Sequence, residues 1–357
     1  MNAMNTQLIA TESKTLEQQL TLPHVLKAQY PLSNDLAQQI TKQRQTILNI
    51  LAGHDPRLMV ITGPCSVHDP IATLDYAKKL LELQQQVAGQ IFFVMRVYIE
   101  KPRTTVGWKG FLYDPHLDGS GNIQAGLQQS RELFLKIAEM GLPIATEILS
   151  PMATAYFDDL VSWGAIGART SESQIHREIS SHMPYSIGFK NGTDGSIQIA
   201  LDAIQSASHS HHFLGMNQSG MPAVLVSHGN PYAHLILRGS NQGTNYQLEE
   251  IEKIKAKNKG QLPALVIDCS HGNSSKNPMN QVKVLEQIVA ERAYSQVKGV
   301  MLESFIEDGN QKISSQMQYG QSVTDGCLGW EKTEQLLLNV AIQLNQKNLQ
   351  TSLRVSA

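Results

Sequence analysis

Eight short apolar runs limit what this chain can fold into, because most of them end in a charged or metal-binding residue. The runs are LMVITGPC (58–65), IFFVMR (91–96), PIATE (143–147), AIGAR (165–169), SIGFK (186–190), HLILR (234–238), ALVIDCSH (264–271) and GVMLE (299–303). Strands of a parallel barrel are buried on both faces and read as continuous hydrophobic runs. Catalytic groups of such barrels follow the carboxyl ends of the strands. The runs therefore predict parallel strands with functional groups at one rim.

Segments with helical spacing alternate with these runs. They cover residues 70–88, 124–140, 152–163, 173–182, 195–207, 247–259, 278–294 and 331–347. A strand followed by a helix, repeated eight times, favours right-handed crossovers and closure into an α/β fold of the (β/α)8 TIM barrel type. A doubly wound open sheet is the competing fold. We predict the barrel over residues 58–349 and a tail over residues 350–357.

Two connections are longer than a barrel unit requires. Residues 97–123 follow the second strand and carry KPRTTVGWKG, and a long loop at the catalytic rim is typical of a substrate loop. Residues 211–228 hold two apolar stretches separated by Ser219 and Gly220. This pattern predicts a β-hairpin inserted into the barrel.

An N-terminal extension, residues 1–57, precedes the first predicted strand. A helix is predicted from Asp35 to Leu51, after the cap-forming residues Ser33 and Asn34. The extension could plug the barrel bottom, contact a second subunit or carry regulation. Its composition does not separate these roles.

Composition excludes several classes of protein. The formal charge is −2, with 29 basic and 31 acidic residues interspersed, so no footprint for nucleic acid is present. No stretch approaches the roughly 20 apolar residues of a membrane span, and the first residues lack the pattern of a signal peptide. We therefore predict a cytoplasmic protein that binds neither membrane nor nucleic acid. Three cysteines are too few for a disulfide scaffold.

Four residues near the ends of the predicted strands are candidate metal ligands: Cys65, His271, Glu303 and Asp325. A thiolate, an imidazole and two carboxylates suit a divalent transition metal (Mn, Fe, Co or Zn) better than Mg or Ca. Any one of these residues alone is more often structural. Four at one rim of one barrel favour a metal centre.

A second group of rim residues is cationic: Arg96, Lys101, Arg103, Lys109, Arg169, Lys190 and Arg238. Cations at strand ends are costly to bury unless an anion joins them, and arginine binds phosphate or carboxylate with two hydrogen bonds. The group therefore predicts a polyanionic substrate, or two phosphorylated substrates. The alternative is internal pairing with Glu147, Glu172 and Asp268.

The motifs that carry these residues resemble those of type I 3-deoxy-D-arabino-heptulosonate 7-phosphate (DAHP) synthases. The matching motifs occur in order: GPCSVHD (63–69), EKPRTTVGWKG (100–110), GARTSESQIHRE (167–178), GFKNGTDG (188–195), ILRG (236–239), DCSHGNSSK (268–276), ESFIEDGNQ (303–311) and TDGCLGW (324–330). The resemblance covers nearly all of residues 24–345. Any one motif is moderately specific, whereas the ordered set is strong evidence.

The resemblance implies condensation of phosphoenolpyruvate with erythrose 4-phosphate, release of phosphate, and dependence on a divalent metal. It assigns the metal to Cys65, His271, Glu303 and Asp325. It assigns the substrates to Arg96, Lys101, Arg103, Thr104, Glu147, Ala168, Arg169, Lys190 and Arg238, with Arg103 and Thr104 on the phosphate of erythrose 4-phosphate. Cys65, Lys101 and His271 are the expected catalytic residues. Lys101 and His271 are both candidates to carry protons, and the sequence does not choose between them.

The resemblance also implies an aromatic amino-acid effector and a homodimer or homotetramer. Local matches in the hairpin favour tyrosine, although GNPYAH and ESF are also similar to the tryptophan-sensitive type. Three alternatives to the assigned function stay open. They are a 3-deoxy-octulosonate 8-phosphate synthase, a generic metal-dependent phosphosugar aldolase, and a non-catalytic barrel that senses ligands.

Two smaller hypotheses concern thiols and histidines. Asp325 and Cys327 share one loop, so Cys327 is expected near Cys65, and oxidation after metal loss would join the two thiols. The run SHSHHF (208–213) could bind a metal through its histidines, but a solvated loop is the simpler reading.

Overall fold

The computed structural model describes residues 17–355, and the side chains of residues 17–346. Its strands are β1 (Leu58–Gly63), β2 (Ile91–Arg96), β3 (Ile144–Glu147), β4 (Val161–Ile166), β5 (Ser186–Lys190), β6 (His212–Met216), β7 (Pro222–Val226), β8 (His234–Leu237), β9 (Leu265–Asp268) and β10 (Gly299–Glu303). All except β6 and β7 close into one parallel barrel, in which β10 pairs with β1. The predicted (β/α)8 barrel is confirmed, and the open sheet is wrong.

Helices cover the outside of the barrel and its amino-terminal end. They are α1 (Pro23–Gln29), α2 (Asn34–Ala52), α3 (Pro70–Val87), α4 (Ile123–Glu139), α5 (Thr154–Phe157), α6 (Gln174–His182), α7 (Gln198–Ala207), α8 (Leu248–Lys257), α9 (Asn280–Ser295) and α10 (Trp330–Val355). Side chains of Ser33, Asp69 and Asn122 accept hydrogen bonds from the first turns of α2, α3 and α4. Helix α10 continues through residue 355, into the predicted tail. No helix of residues 17–355 is long and apolar enough to cross a membrane.

The third crossover differs from the prediction. A helix was expected over residues 152–163, but the chain forms a 3₁₀ turn, the one-turn helix α5, and then β4 from Val161. Strand β4 therefore begins four residues before the run AIGAR. Trp163 on this strand is fully buried inside the barrel, and an added Cβ at Gly164 would meet Cδ1 of Ile187 at 2.6 Å. Close packing on both faces, rather than helical propensity, determines the strand here.

Helix α2 closes the amino-terminal end of the barrel. Ile47, Ile50 and Leu51 belong to the same buried cluster as Met59 and Trp163, which point into the barrel. Helix α2 therefore covers the bottom of the barrel, while a subunit contact and a regulatory role of the extension stay predictions. Residues 1–16 of the extension lie outside the described residues.

Side chains inside the barrel form rings, because alternate strand residues point inward. The lower rings are apolar and include Ile61, Val94, Ala145, Ala165, Ile236, Val266 and Met301. Two residues further along each strand, the upper ring consists of Gly63, Arg96, Glu147, Gly167, Lys190, Arg238, Asp268 and Glu303. The strands therefore change from an apolar core to a charged rim within two residues.

Strands β6 and β7 form the predicted antiparallel hairpin, outside the barrel. Phe213 is buried and lies edge-on to the ring of His182, with 6.0 Å between the ring centres. The turn packs on the start of α1, where an added Cβ at Gly220 would lie 2.8 Å from Cδ of Pro23. Hairpin and extension are thus in contact within one chain.

Candidate active site and metal centre

The charged rim surrounds a cavity of about 300 Å³. All nine residues predicted to bind substrate line it: Arg96, Lys101, Arg103, Thr104, Glu147, Ala168, Arg169, Lys190 and Arg238. The lining also includes Thr170, Thr193, His271 and Asp325. Six lysine or arginine side chains face only two carboxylates, so the cavity attracts anions.

The long connection after β2 forms one wall of the cavity. Its ends are tied together where the amide of Lys101 donates to the carbonyl of Lys109 at 2.8 Å. Gly110 has φ +111°, and an added Cβ would lie 2.4 Å from the carbonyl oxygen of Ile99, so only glycine fits there. Arg103 and Thr104 lie on the exposed part of this loop, and Nε of Arg103 donates to the carbonyl of Trp108 at 2.7 Å. The loop therefore presents Lys101 and Arg103 to the same space.

Three of the four predicted metal ligands form a compact donor cluster. A sulfur of Cys65 and one carboxylate oxygen each of Glu303 and Asp325 all lie within 4.8 Å of one another. Cys65 and Glu303 are buried, whereas the Asp325 side chain is 60% exposed and closes the cluster from the cavity side. A thiol with two carboxylates is a donor set that a divalent transition metal accepts.

Lys101 provides the positive charge in this cluster. Its Nζ donates to Sγ of Cys65 and to Oδ2 of Asp325, both at 2.8 Å. Burial alone would lower the pKa of Lys101, but the neighbouring Cys65 and Asp325 outweigh it and raise that pKa. Burial and the charge of Glu303 raise the pKa of the Cys65 thiol to about 12. An ammonium shared by two candidate ligands shows that the position favours a cation, so the donor set fits a bound metal ion.

His271, the fourth predicted ligand, lies beside the cluster. Its backbone has φ +51°, the left-handed region that side chains other than glycine rarely adopt. Nε2 lies 3.9 Å from Oε1 of Glu303, and Nδ1 lies 2.9 Å from Oδ2 of Asp268. The imidazole therefore stands between a candidate metal ligand and a second, deeper carboxylate.

Arg96 holds the loop that carries Cys65. Its guanidinium donates to the carbonyls of Pro64 and Cys65 at 3.0 and 2.8 Å and to Oε1 of Glu303 at 3.1 Å. The same group stacks on the Tyr98 ring, 3.6 Å from its centre. Burial would raise the pKa of Glu303, but His271 and Arg96 lower it below its usual value. Arg96 thus couples the metal cluster to the cavity.

Several positioning groups escaped the sequence analysis. Gln281 of α9 is fully buried and pairs with the main chain of Glu303, accepting from its N–H at 2.9 Å and donating to its carbonyl at 3.0 Å. The Ser270 hydroxyl donates to Oε2 of Glu303 at 2.8 Å. Gln281 precedes β10 and has no periodic signal of its own, although Ser270 lies within the DCSH motif.

Three asparagines join the ends of β5, β8 and β9. Oδ1 of Asn191 accepts from the amide of Arg238 at 2.9 Å and from Nδ2 of Asn245 at 3.2 Å. The backbone N–H of Asn245 donates to Oδ1 of Asn273 at 2.9 Å, and Nδ2 of Asn273 donates to the backbone carbonyl of Asp268 at 2.9 Å. This network fixes the strand ends that carry three charged rim residues.

Internal pairing accounts for only part of the cationic group. Arg96 pairs with Glu303, Lys101 with Asp325, and Lys190 with Asp268. Within the described side chains, Arg103, Arg169 and Arg238 have no carboxylate within ion-pair distance, and Lys109 lies outside the cavity lining. Among the described side chains, three of the six cavity cations therefore have no carboxylate partner, because neither Glu147 nor Glu172 forms an ion pair with the rim.

The two smaller hypotheses have different outcomes. The amide of Cys65 lies 3.4 Å from Sγ of Cys327, and both thiols are buried, so the expected proximity is present. Their oxidation stays a prediction. His209 and His211 contact carbonyls at the carboxyl end of α7 at 2.7 and 2.8 Å. They join no metal-binding cluster among the described side chains.

Comparisons with known proteins agree with one another. The sequence model described as the DAHP synthetase I family matches residues 29–338. The Tyr-sensitive phospho-2-dehydro-3-deoxyheptonate aldolase of Escherichia coli K12 is 48% identical over 338 residues, which cover 93% of this chain and 95% of that protein. The Trp-sensitive enzyme of Enterobacter agglomerans is 47% identical over 330 residues, which cover 90% and 94%. A solved phospho-2-dehydro-3-deoxyheptonate aldolase from Francisella tularensis SCHU S4 superimposes with a TM-score of 0.90 at 44% identity, covering 92% of this chain and 98% of that one.

Proposed function

The chain belongs to the DAHP synthetase I family, and on that premise we propose how its rim performs the family reaction. The protein is a transferase that condenses phosphoenolpyruvate with erythrose 4-phosphate and water, giving DAHP and phosphate, the first step of aromatic amino-acid biosynthesis. The family assignment disfavours the three alternatives, including the non-catalytic barrel. The observation that carries the residue assignment is one cavity in which six cations adjoin a three-donor cluster.

Phosphoenolpyruvate is held by the deep cations of the cavity. Arg96, Arg169, Lys190 and Arg238 come from four different strand ends and converge on the cavity, with Glu147 and Ala168 beside them. Arginine forks bind carboxylate and phosphate, and cations from separate strands fix the orientation of a substrate that carries both groups. These cations hold the enol carbon in one orientation, and such positioning of a reacting atom makes a large contribution to the rate.

Erythrose 4-phosphate enters from the open side. Arg103 and Thr104 lie on the exposed loop and bind its phosphate, which leaves the aldehyde end directed toward Asp325, the member of the donor cluster that lines the cavity. Two phosphate sites, one deep and one on the loop, place the two reacting carbons between them.

Cys65, His271, Glu303 and Asp325 would hold the divalent ion. When bound, the ion supplies positive charge that polarises the aldehyde oxygen or activates a water. Lys101 carries a proton at Nζ within reach of the same oxygen, so it can protonate the alkoxide that forms. Arg96 holds Glu303 and the Cys65 loop in place during the reaction.

Phosphate release from the two substrates, measured with and without a chelator, tests the assignment. We expect turnover that a chelator abolishes and Mn²⁺, Fe²⁺, Co²⁺ or Zn²⁺ restores to different extents, which would also identify the preferred metal. Lys101→Met should abolish turnover while Lys109→Met, on the same loop but outside the cavity, should not. Turnover that resists chelation would overturn the metal assignment.

An aromatic amino acid, with tyrosine favoured, is the proposed effector. Similar relatives include Tyr-sensitive and Trp-sensitive enzymes. The hairpin and the N-terminal segment contact each other at Gly220 and Pro23, so a ligand at the hairpin would affect both. Titration of tyrosine, phenylalanine and tryptophan into the rate assay identifies the effector, and no inhibition by any of them would refute this proposal.

A homodimer or homotetramer is proposed from the exposed apolar face of the hairpin. Leu214, Met221 and Val224 are 82%, 58% and 71% exposed on neighbouring strands or their turn. An apolar face of this kind is typical of an interaction surface. Light scattering on the intact protein gives the mass, and a monomer at micromolar concentration would refute self-association.

A further inference from the structure

The protein holds the guanidinium of Arg96 along one edge. Nε donates to the carbonyl of Pro64 at 3.0 Å, and Nη2 donates to the carbonyl of Cys65 at 2.8 Å and to Oε1 of Glu303 at 3.1 Å. Among the described residues, Nη1 of Arg96 forms no hydrogen bond, and Arg96 lines the cavity. One edge of the guanidinium therefore bonds to the protein, while Nη1 is available to a ligand.

The ring of Tyr98 lies against the face of this guanidinium. Cζ of Arg96 is 3.6 Å from the ring centre. Tyr98 is 1% exposed, and it packs in the same buried cluster as Val94 and Ala145 of the apolar lower rings. Hydrogen bonds in the plane of a guanidinium resist sliding, whereas a contact on its face resists tilting. The Tyr98 ring thus supplies the support that the three hydrogen bonds lack.

The ring, rather than the hydroxyl, makes this contact. Oη of Tyr98 is buried and has no hydrogen-bond partner among the described residues. Burial raises the pKa of this hydroxyl, so the side chain stays neutral and attracts Arg96 through the face of its ring. Such an attraction is strongest away from water, and Arg96 is only 2% exposed.

We propose that Tyr98 is a positioning residue for phosphoenolpyruvate, because its ring fixes the plane of the Arg96 guanidinium and so directs Nη1 at the bound substrate. This inference rests on the proposed function, in which Arg96 binds phosphoenolpyruvate. Tyr98 does not belong to the lining of the cavity, so it acts on the substrate through Arg96. Without the ring, the guanidinium tilts and its bond to the substrate weakens.

Calorimetric titration of phosphoenolpyruvate into protein saturated with Mn²⁺ tests this role without turnover. In Tyr98→Met, which fills much of the space but has no ring, we expect Kd to rise by roughly 10- to 100-fold. Tyr98→Phe keeps the ring and should bind within about threefold of the unmodified protein. The matched control is Phe93→Met, which removes an equally buried ring from the outward face of the same strand and should leave Kd unchanged. Thermal unfolding shows which variants are folded, and Tyr98→Leu replaces Tyr98→Met if the latter does not fold.

A double-mutant cycle separates support of Arg96 from a general effect on the barrel. Arg96→Met removes the group on which Tyr98 acts. When Tyr98→Met is added to Arg96→Met, Kd for phosphoenolpyruvate should therefore change by less than about twofold. A defect in packing alone would weaken binding equally with and without Arg96.

Four results would overturn the role of Tyr98. They are an unchanged Kd in Tyr98→Met, an equal loss in Phe93→Met, an equal loss in Tyr98→Phe, and a full loss by Tyr98→Met in the absence of Arg96. An unmodified protein that does not bind phosphoenolpyruvate, or an Arg96→Met variant that binds it as tightly as the unmodified protein does, would instead refute the proposed function of Arg96.

Discussion

The two ends of the barrel are built from the same eight strands but have opposite chemistry. At the amino-terminal end, α2 covers an apolar core in which a buried imidazole is paired on both ring nitrogens: Nε1 of Trp163 donates to Nε2 of His234, whose Nδ1 then donates to the carbonyl of Tyr232. At the rim, cations outnumber carboxylates, and Nδ1 of His271 lacks an aligned partner. The closed end is held by apolar packing, whereas the rim carries an excess of cations whose interactions ligands would complete.

This contrast predicts that rim variants lose function and keep stability, while variants of the closed end do the reverse. The largest effect is expected for Cys65→Ala, which removes a candidate metal ligand. We expect kcat/KM to fall by at least ~10³-fold, or ~4 kcal/mol of transition-state stabilisation. Cys269→Ala is the matched control, since Cys269 is equally buried directly after strand β9 but belongs to no donor cluster among the described side chains. Phosphate-release kinetics and thermal unfolding are measured for both variants. An equal loss of activity in Cys65→Ala and Cys269→Ala would contradict the contrast.

Ile47→Ala tests the closed end. Ile47 is fully buried between α2 and the barrel interior, so its truncation leaves a cavity that costs about 3 to 4 kcal/mol of unfolding free energy. Activity per folded molecule should stay the same at a temperature where the variant is folded. Denaturant unfolding gives the free energy, and Ile47→Val, which removes one methyl group, should lose about 1 kcal/mol. Loss of activity in the folded variant would show that the two ends are not independent.

Acid should weaken the closed end through His234. Burial lowers the pKa of His234 to about 4 from 6.5, so the folded protein keeps this ring neutral while the unfolded chain takes up a proton. The stabilisation is complete above pH 6.5 and is lost as pH falls toward 4, about 3 kcal/mol in total.

His234→Gln retains an acceptor for Trp163 but cannot take up the proton. The difference in unfolding free energy between His234→Gln and the unmodified protein should therefore change by about 3 kcal/mol between pH 7 and pH 4. His209→Gln, at an exposed position, should show no such change, and parallel curves for all three proteins would disprove the role of His234.

The smallest effect is expected at Gly167, where the rim has no space for a larger side chain beside Glu147. An added Cβ at Gly167 would lie 2.3 Å from Oε1 of Glu147, the end of a flexible side chain, so Gly167→Ala shifts Glu147 without unfolding the barrel. We expect KM for phosphoenolpyruvate to rise several-fold, about 1 kcal/mol, with kcat nearly unchanged. Gly89→Ala, where an added Cβ meets nothing within 4 Å, should leave both constants the same. A fall in kcat alone would place Glu147 in the chemical step instead.

The sequence predicts the rim better than the groups that support it. Each apolar run ends at the rim, so the position of Arg96 or Lys190 follows directly from the end of its strand. Gln281 and Asn245 reach the rim from a helix and a loop, and their contacts depend on how separate crossovers pack. The pattern of α2 predicts a helix but not its partner, because an apolar stripe does not specify the surface it covers. Lys101 was expected at a substrate, yet it also bridges two candidate metal ligands.

The seam between β1 and β10 joins the beginning and the end of the barrel, and the candidate metal ligands surround it. Cys65 follows β1, Glu303 ends β10, and Asp325 follows β10. These groups meet only after the ring has closed, which is a late event for contacts so distant in the chain. A metal ion bound there would connect the first and last strands of the closed barrel and would slow its unfolding.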